Sequence, residues 1–187
     1  MSILKVNQIQ HANGTNAMTI DSSGNLSIPN NATITGTTTF TGNTSHSGNV
    51  LTPNRPFFSA YPTAQQTAAG FVAFNTVRHN IGNHYNTSTY SFVAPETGVY
   101  YFEAHTLSNR TTASGDYGFD FYVNGGIFKR CYDGSEGTAS VHAEARGTLL
   151  VKLNENDYVQ IYHYASAKTV WVESNQYHCS FSGCLIG

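Results

Sequence analysis

The sequence has few charged residues and no long apolar run, and each absence excludes a class of protein. Asp, Glu, Lys and Arg make up 11% of the 187 residues, and the formal net charge is −2. No basic surface is available to neutralise a phosphate backbone, so we expect no nucleic-acid partner. No apolar segment approaches the roughly 20 residues of a membrane helix. The first ten residues lack the pattern of a secretion signal, so we expect a soluble chain that folds where it is made.

Cysteine is also scarce. Cys131, Cys179 and Cys184 are an odd number in a chain that is large enough to fold without disulfides. If Cys179 and Cys184 lie on one strand, five steps of about 3.3 Å place them roughly 16 Å apart. A disulfide needs Cα atoms within about 7 Å. We therefore expect three free thiols, unless Cys131 pairs with one of the other two.

Motifs that carry catalysis or bind metals are missing as well. The eight histidines show no zinc-motif spacing, and no Cys-x-x-Cys occurs. Ser135 lacks the strand-turn-helix setting of a catalytic serine, and the acidic residues are too scattered to name a catalytic pair. We therefore expect no catalytic residues, no metal site and no cofactor. A glycan depolymerase that uses carboxylates from several subunits is the remaining enzymatic alternative.

What the sequence does contain is strand-like alternation of apolar residues, which predicts an all-β fold with negligible helix. Gly98, Tyr100, Phe102 and Ala104 alternate with Val99, Tyr101 and Glu103, and the first set should face a core. Further runs with the same period are Tyr117 to Val123, ending at the Asn124-Gly125 turn; Leu149 to Leu153; Val159 to His163; and a late strand around Val170, Trp171 and Val172.

Tyrosines occupy the second face of one of these strands. Val159 and Ile161 should enter the core, whereas Tyr162 and Tyr164 alternate with them. Because a side chain with an aromatic body and a polar tip is favoured at interfaces, we predict both tyrosines at a subunit interface. Tyr100 is assigned to the same interface.

Fixed spacings in residues 74–102 carry a family resemblance. Phe74, Asn80, Tyr85, Phe92, Gly98, Tyr100 and Phe102 occupy the signature positions. The pattern resembles the C1q-like globular domain, a tumour-necrosis-factor-like jelly roll, except that Ala104 replaces a usual aromatic residue. Residues 55–61 and 181–186 are similar to its opening and closing strands. The resemblance covers residues 55–187 and implies an antiparallel jelly-roll sandwich that forms a homotrimer. Some relatives hold calcium near the trimer apex, but no D-x-D-x-D loop occurs here.

Residues 1–28 form a separate segment. Two short alternating runs and the turn-forming stretch 21–25 predict a small hairpin. The stretch LKVNQIQ, followed by AMTIDSSGNL, resembles the N-terminal segment of fibre and virion-surface proteins of tailed bacteriophages. The resemblance implies that residues 1–28 dock on the particle, and we assign this contact to Leu4, Val6 and Ile9.

Between the two lies a Thr/Gly-rich stretch, residues 29–54, with the six-residue period NATITG, TTTFTG, NTSHSG. Such a period indicates a wound β-structure, and the alternative is an unstructured linker. Ordering the 22 residues from Pro29 to Val50 costs about 1.5 kcal/mol each, while Ile34, Phe40 and Val50 recover only about 1.5–3 kcal/mol each. A single chain therefore cannot hold an isolated shaft, and we predict Ile34 and Phe40 at the axis of a trimer.

Together these patterns predict a non-enzymatic structural protein of the phage virion, assembled in the host cytoplasm, that decorates the capsid or forms a fibre tip. Partners would be its own copies, other virion proteins and a glycan or protein of the host surface. The side chains predicted to contact such a ligand are Arg110, Tyr117, Lys129, Arg130, Tyr132 and Trp171. The alternative is a free trimeric lectin-like or cytokine-like binding module.

Overall fold

The computed structural model describes residues 8–10, 14, 16–28, 31–47, 50, 52–108, 117–133, 142–164, 169–172 and 178–187. The chain divides into two compact units, Met1–Val50 and Leu51–Gly187. In the described part of the chain, no helix is long and apolar enough to cross a membrane.

The first unit contains a small antiparallel sheet. Its strands are β1 (Gln8–Gln10), β2 (Asn16–Ile20) and β3 (Leu26–Ser27), in the order β1-β2-β3. The carboxylate of Asp21 closes the turn before β3 by accepting bonds from the backbone N–H groups of Ser23 and Asn25 at 2.8 and 2.9 Å. A hydrogen bond from the Asn25 side chain, together with these backbone bonds, lowers the pKa of Asp21. Residues 31–47 contain neither helix nor strand, so an ordered shaft stays a prediction.

The second unit is a sandwich of two antiparallel sheets. Its strands are β4 (Phe57–Tyr61), β5 (Gly70–Phe71), β6 (Thr76–Ile81), β7 (Tyr85–Asn86), β8 (Ser91–Val93), β9 (Gly98–Leu107), β10 (Tyr117–Val123), β11 (Gly126–Asp133), β12 (Glu144–Leu153), β13 (Tyr158–His163) and β14 (Ser180–Leu185). One sheet has the order β12-β9-β14-β4-β6. The other has the order β11-β10-β13-β8-β7, and β5 also pairs with β13. No helix occurs among the described residues, and the all-β prediction is confirmed.

Aromatic rings from both sheets fill the space between them. Phe58 on β4 is fully buried, and its ring centroid lies 4.6 Å from Tyr85, 5.2 Å from Phe92 and 4.8 Å from Phe181. The predicted inward positions of the long strands are confirmed. Those with no more than 8% exposure are Tyr100, Phe102, Ala104, Tyr117, Phe119, Phe121, Leu149, Val151, Leu153, Val159 and Ile161.

Hydrogen bonds explain why an asparagine and a tyrosine stand at fixed spacing after Phe74. Asn80 Nδ2 donates to the Tyr85 carbonyl at 2.9 Å, and Tyr85 N–H donates to Asn80 Oδ1 at 3.1 Å. The Tyr85 hydroxyl donates to the buried Phe74 carbonyl at 2.9 Å. Since a buried carbonyl without a partner is costly, these bonds hold the 81–85 turn on the sandwich.

Two further expectations are settled by the backbone. Asn124 and Gly125 have φ values of 51° and 79°, the left-handed pair of a tight hairpin turn, so the predicted turn is confirmed. The predicted late strand at Val170, Trp171 and Val172 is wrong. Val170 makes only isolated bridges to Gln66 and Ser108, because these two segments supply single pairing residues rather than a continuous edge.

The three cysteines are free thiols. Cys131 and Cys179 are buried, and Cys184 is half-buried on β14. Burial raises the pKa of Cys179 to about 11 and also raises the pKa of Cys131.

Candidate binding surfaces

A row of apolar side chains crosses the five-stranded sheet on its outward face. Leu150 pairs with Tyr101, Tyr101 with Cys184, Cys184 with Phe57, and Phe57 with Ile81. We call these five residues the apolar row. Neighbouring strands are about 4.8 Å apart, so the row is roughly 19 Å long. Since side chains opposite one another on a sheet touch, the row is one continuous surface.

Much of this surface is open in the single chain. Leu150 is 63% exposed, Ile81 41% and Tyr101 37%. Polar residues flank the row, since Glu103 lies between Thr148 and Ser182 on the same face. An apolar centre with a polar rim is the usual composition of a protein–protein interface, and exposed apolar patches of this kind mark interaction sites.

The six-stranded sheet carries aromatic rings on its own outward face. Tyr122 and Tyr162 stack with their ring centroids 5.1 Å apart and an interplanar angle of 28°. Phe71 meets both rings edge-on, with centroid distances of 5.3 Å, and is 38% exposed. We call these three residues the aromatic platform. Because each ring contacts the other two, their positions are fixed before any ligand arrives.

An ion pair borders the platform. Asp120, 1% exposed, accepts two hydrogen bonds from Arg130, at 2.8 Å from Nε and 3.0 Å from Nη2. The carboxylate holds the pKa of Arg130 above its usual range. The guanidinium also lies 4.5 Å from the Tyr164 ring centroid, within the range of a cation–π contact. The charges of Asp120 and Arg130 are therefore neutralised within the subunit.

A groove of about 450 Å³ adjoins the platform. Its lining side chains are neutral: Asn86, Thr89, Ser91, Val93, Tyr158 and Gln160. Gln160 pairs with Tyr122 across the strands, so the groove and the platform meet at this residue. Gln160 Nε2 donates to the Thr89 carbonyl at 2.8 Å, which ties the groove wall to β13.

Two of the predicted ligand contacts line a second groove, of about 490 Å³, between β11 and β12. Lys129, Arg130 and Arg146 lie around it, and Cys131 is also part of its lining. The Lys129 ammonium donates to the Thr148 carbonyl at 2.7 Å. Three cationic side chains thus line this groove, although Arg130 is paired with Asp120 and Arg146 with Glu144, whereas the groove beside the platform has a neutral lining.

Trp171 lies between two imidazole rings. The His142 ring centroid is 4.8 Å away and the His178 centroid 5.0 Å away, and both rings are nearly parallel to the indole. His142 Nδ1 is 2.7 Å from the Ser108 carbonyl.

Burial lowers the pKa of His105, although Glu144 at 2.9 Å opposes the shift. Within the described ranges, no three His, Cys, Asp or Glu side chains are grouped so that they could hold a metal ion.

The family model of the C1q domain matches residues 57–186, more than half of the chain. The chain belongs to the C1q domain family. Domains of this family are generally non-enzymatic binding modules that commonly form homotrimers.

Relatives and solved structures agree with this assignment. The chain is 30% identical over 119 residues to mouse (Mus musculus) Complement C1q tumor necrosis factor-related protein 2, covering 62% of this chain and 37% of the relative. It is 27% identical over 99 residues to the uncharacterized protein YqcC of Bacillus subtilis (strain 168), covering 51% of this chain and 27% of that protein. The chain thus spans about a third of the length of these relatives.

The structural matches show the fold. The globular domain of zebrafish complement 1qA aligns with a TM-score of 0.56 and 22% identity, covering 71% of this chain and 98% of that one. Murine APRIL aligns with a TM-score of 0.54 and 10% identity, covering 71% of this chain and 99% of that one. The predicted jelly roll is therefore confirmed.

Two residues that were predicted to lie at binding surfaces are buried in the C1q domain. Tyr100, predicted at a subunit interface, has no exposed surface, because its ring packs against Phe92 and Phe102 in the core. Tyr117, predicted to contact a ligand, is also fully buried, beside the His163 ring at 5.5 Å. Burial raises the pKa of both tyrosines. Both predictions are wrong, since neither side chain can reach a partner.

The other predicted site residues are distributed as follows. Lys129 and Arg130 are exposed, Trp171 is half-buried, and Tyr162 and Tyr164 are half-buried on the outward face of the six-stranded sheet. In the first unit, Ile9 is 46% exposed, Ile34 64% and Phe40 69%. Leu4, Val6 and Arg110 lie outside the described residues, as does the side chain of Tyr132.

Sequence reasoning missed both surfaces built from several strands. Phe71 and Tyr122 alternate with the buried residues Val72 and Phe121, and this alternation is a signal in the sequence for their outward direction. Their contact with Tyr162 depends on the order of β5, β13 and β10 in the sheet. The period of one strand gives a side chain its face, but only the pairing of strands gives it neighbours.

Proposed function

We propose that this protein is a trimeric, non-enzymatic binding module on the surface of a tailed-phage virion. In this proposal residues 1–28 dock on the particle, residues 29–54 form the connection, and the C1q domain faces outward. The apolar row is the observation that supports a trimer. The resemblance of the first 28 residues to phage fibre proteins supports the virion.

The apolar row has the shape and composition that a subunit contact needs. Burying an isolated leucine contributes about 1.5–3 kcal/mol, and 63% of the Leu150 surface is still exposed in the single chain. Each subunit therefore has roughly 1–2 kcal/mol to gain from covering Leu150 alone. Tyr101 and Ile81 add to this gain, and the polar rim fixes the register.

Tyr162 and Tyr164, assigned to the interface from the sequence, lie on the opposite sheet. Their rings already contact Tyr122 and the Arg130 guanidinium within the subunit. Burial against another subunit would thus add less for them than for Leu150. We place the trimer contact at the apolar row, which leaves the outward face of the six-stranded sheet open.

Light scattering on the purified full chain tests the trimer. We expect three times the chain mass of 20.3 kDa. Leu150→Asp should give a folded monomer, because it places three charges in an apolar contact. Lys152→Asp is the matched control, since Lys152 is exposed on the same strand and face but outside the row. A monomeric wild-type chain contradicts the proposal, and so does a trimeric Leu150→Asp variant.

Removal of residues 1–50 tests the virion part. These residues form a unit of their own, so the C1q domain should remain folded and trimeric. We expect the truncated protein to be absent from purified particles, whereas the full chain is incorporated. If Ile34 and Phe40 serve as an axis between copies, the truncated trimer should also be weaker, with a higher dissociation constant than the full-length trimer. Equal incorporation of both proteins would contradict docking through residues 1–28, and the absence of both from particles would support a free lectin-like or cytokine-like module.

A further inference from the structure

The strand β13 aligns a set of polar and aromatic groups on the open face of the six-stranded sheet. Tyr158, Gln160 and Tyr162 point outward at two-residue spacing, which separates the first from the last by about 13 Å. Val93 lies beside Tyr158, and Phe71 beside Tyr162. The neutral groove and the aromatic platform therefore form one continuous surface, long enough for several units of a linear ligand.

The platform has the chemistry of a surface that receives a ring. Stacked tyrosines offer flat, rigid aromatic area with little side-chain entropy to lose. An aromatic face binds the C–H groups on one side of a pyranose ring, and the hydroxyl groups of Tyr122 and Tyr162 remain at the edge for hydrogen bonds. A sugar ring has the matching arrangement, an apolar side with hydroxyl groups around its edge.

The groove supplies hydrogen-bonding groups without charge. Hydroxyl and amide side chains both donate and accept, as the hydroxyl groups of a saccharide do. None of the six lining residues is Asp, Glu, Lys or Arg. Beside the platform, Asp120 and Arg130 neutralise each other, and near the other end of the groove the Asp157 carboxylate accepts a hydrogen bond from Asn124. A neutral ligand therefore fits the lining of this groove, whereas the groove beside Lys129 is lined in part by cationic side chains.

The groove wall is held in place by its own hydrogen bonds. Asn86 Oδ1 accepts from the backbone N–H groups of Ser88 and Thr89 at 2.8 and 3.3 Å, and the Thr89 and Ser91 hydroxyls are 2.7 Å apart. Tyr90 between them has a φ of 56°, which is uncommon for a bulky residue. A rigid wall lowers the entropy cost of binding. The same bonds leave Asn86 Nδ2 and Gln160 Oε1 available to a ligand.

From these observations we infer that the aromatic platform and the neutral groove form one binding site for a neutral oligosaccharide. The platform receives one sugar ring, and the groove binds the hydroxyl groups of the next units. This inference rests on the proposed function, because it names the class of ligand that the binding module recognises.

A printed array of neutral and acidic glycans, probed with the full chain, is the first test. We expect signal on neutral glycans of three or more units and none on sialylated or uronic-acid glycans. The best neutral hit is then titrated by calorimetry, which reports affinity per subunit and is independent of avidity. Tyr162→Ala and Tyr122→Ala should each weaken binding about tenfold, as expected for the loss of one stacked ring.

Two variants make the test independent of folding. Tyr162→Phe keeps the ring and should retain affinity within about threefold, and Gln160→Ala, which removes a groove amide but none of the three platform rings, should weaken binding. Phe128→Ala is the matched control, since Phe128 is an exposed aromatic residue that belongs to neither this site nor the apolar row. It should leave the affinity per subunit unchanged.

Several outcomes would overturn the inference and leave the proposed function intact. The chain could bind no neutral glycan, bind only acidic ones, bind only a host-surface protein, or bind a neutral glycan with Tyr162→Ala and Gln160→Ala at wild-type affinity. The proposed function fails on different results, namely the wrong mass in light scattering or no dependence of particle incorporation on residues 1–50.

Discussion

A methyl group added at Gly183, on the central strand β14, should strongly destabilise the sandwich. A Cβ at this residue would lie 2.3 Å from Phe102 Cδ1 and 2.8 Å from Phe58 Cε1. Both distances are far below van der Waals contact, and both atoms belong to fully buried rings. Gly183→Ala must therefore displace either the rings or the strand.

The structure limits how far the rings can move. Phe58 is enclosed by Tyr85, Phe92 and Phe181 at centroid distances of 4.6–5.2 Å, so its displacement would carry its neighbours along. Overpacking a core costs about 1–3 kcal/mol, and we expect the upper end here. For a domain of this size about 3 kcal/mol corresponds to a Tm lowered by roughly 10 °C.

Thermal unfolding followed by near-ultraviolet circular dichroism measures the effect. All variants are compared at one protein concentration, because the Tm of an oligomer depends on concentration. Gly126→Ala is the control, since its Cβ would meet nothing closer than the Val123 carbonyl at 3.7 Å. Adding Phe102→Leu to Gly183→Ala should recover at least about 1 kcal/mol relative to additivity. The reasoning is refuted if Gly183→Ala and Gly126→Ala melt within 2 °C of each other.

Three further predictions follow from contacts in the sandwich. Arg130→Met should lower the Tm at neutral pH, because it leaves the buried Asp120 carboxylate unpaired, and adding Asp120→Asn should restore part of the loss in the same melting assay. A thiol reagent at pH 8 should modify Cys184 slowly in the wild-type trimer and quickly in Leu150→Asp, as followed by mass spectrometry, because Cys184 belongs to the apolar row. Cys179 should stay unmodified in both until the protein unfolds. Because folding raises the pKa of Cys179 from 9.0 to about 11, the folded state holds this proton more tightly, so the free energy of unfolding should fall as pH rises from 9 to 11, and Cys179→Ala should reduce that fall.

The fold could be predicted from the sequence because each strand carries its own burial pattern. The buried positions of β9, β12 and β13 follow from period-two alternation, whereas in β10 the outward-facing residues Gly118 and Asp120 are buried as well. The spacing of Asn80 and Tyr85 after Phe74 identified the family, since that spacing reflects a specific set of hydrogen bonds.

The binding surfaces could not be predicted in the same way. Leu150 and Tyr101 are 49 positions apart and become neighbours only through the pairing of β12 with β9. Tyr117 shows the opposite error, because its polar tip and its place after a polar loop made it resemble a surface residue. Its ring belongs to the buried face of β10, and the alternation of that strand was the better guide.

The pairing of β14 determines where another molecule can be joined to this domain. Leu185 N–H donates to the Pro56 carbonyl, and Phe57 is paired with Cys184, so the chain enters and leaves the sandwich at one end. Leu107 and Glu144, which pair with each other, lie at the opposite end of the sandwich. A label joined to the domain before Pro56 or after Gly187 would thus lie at one end, and a sequence inserted next to Leu107 or Glu144 would be presented at the other.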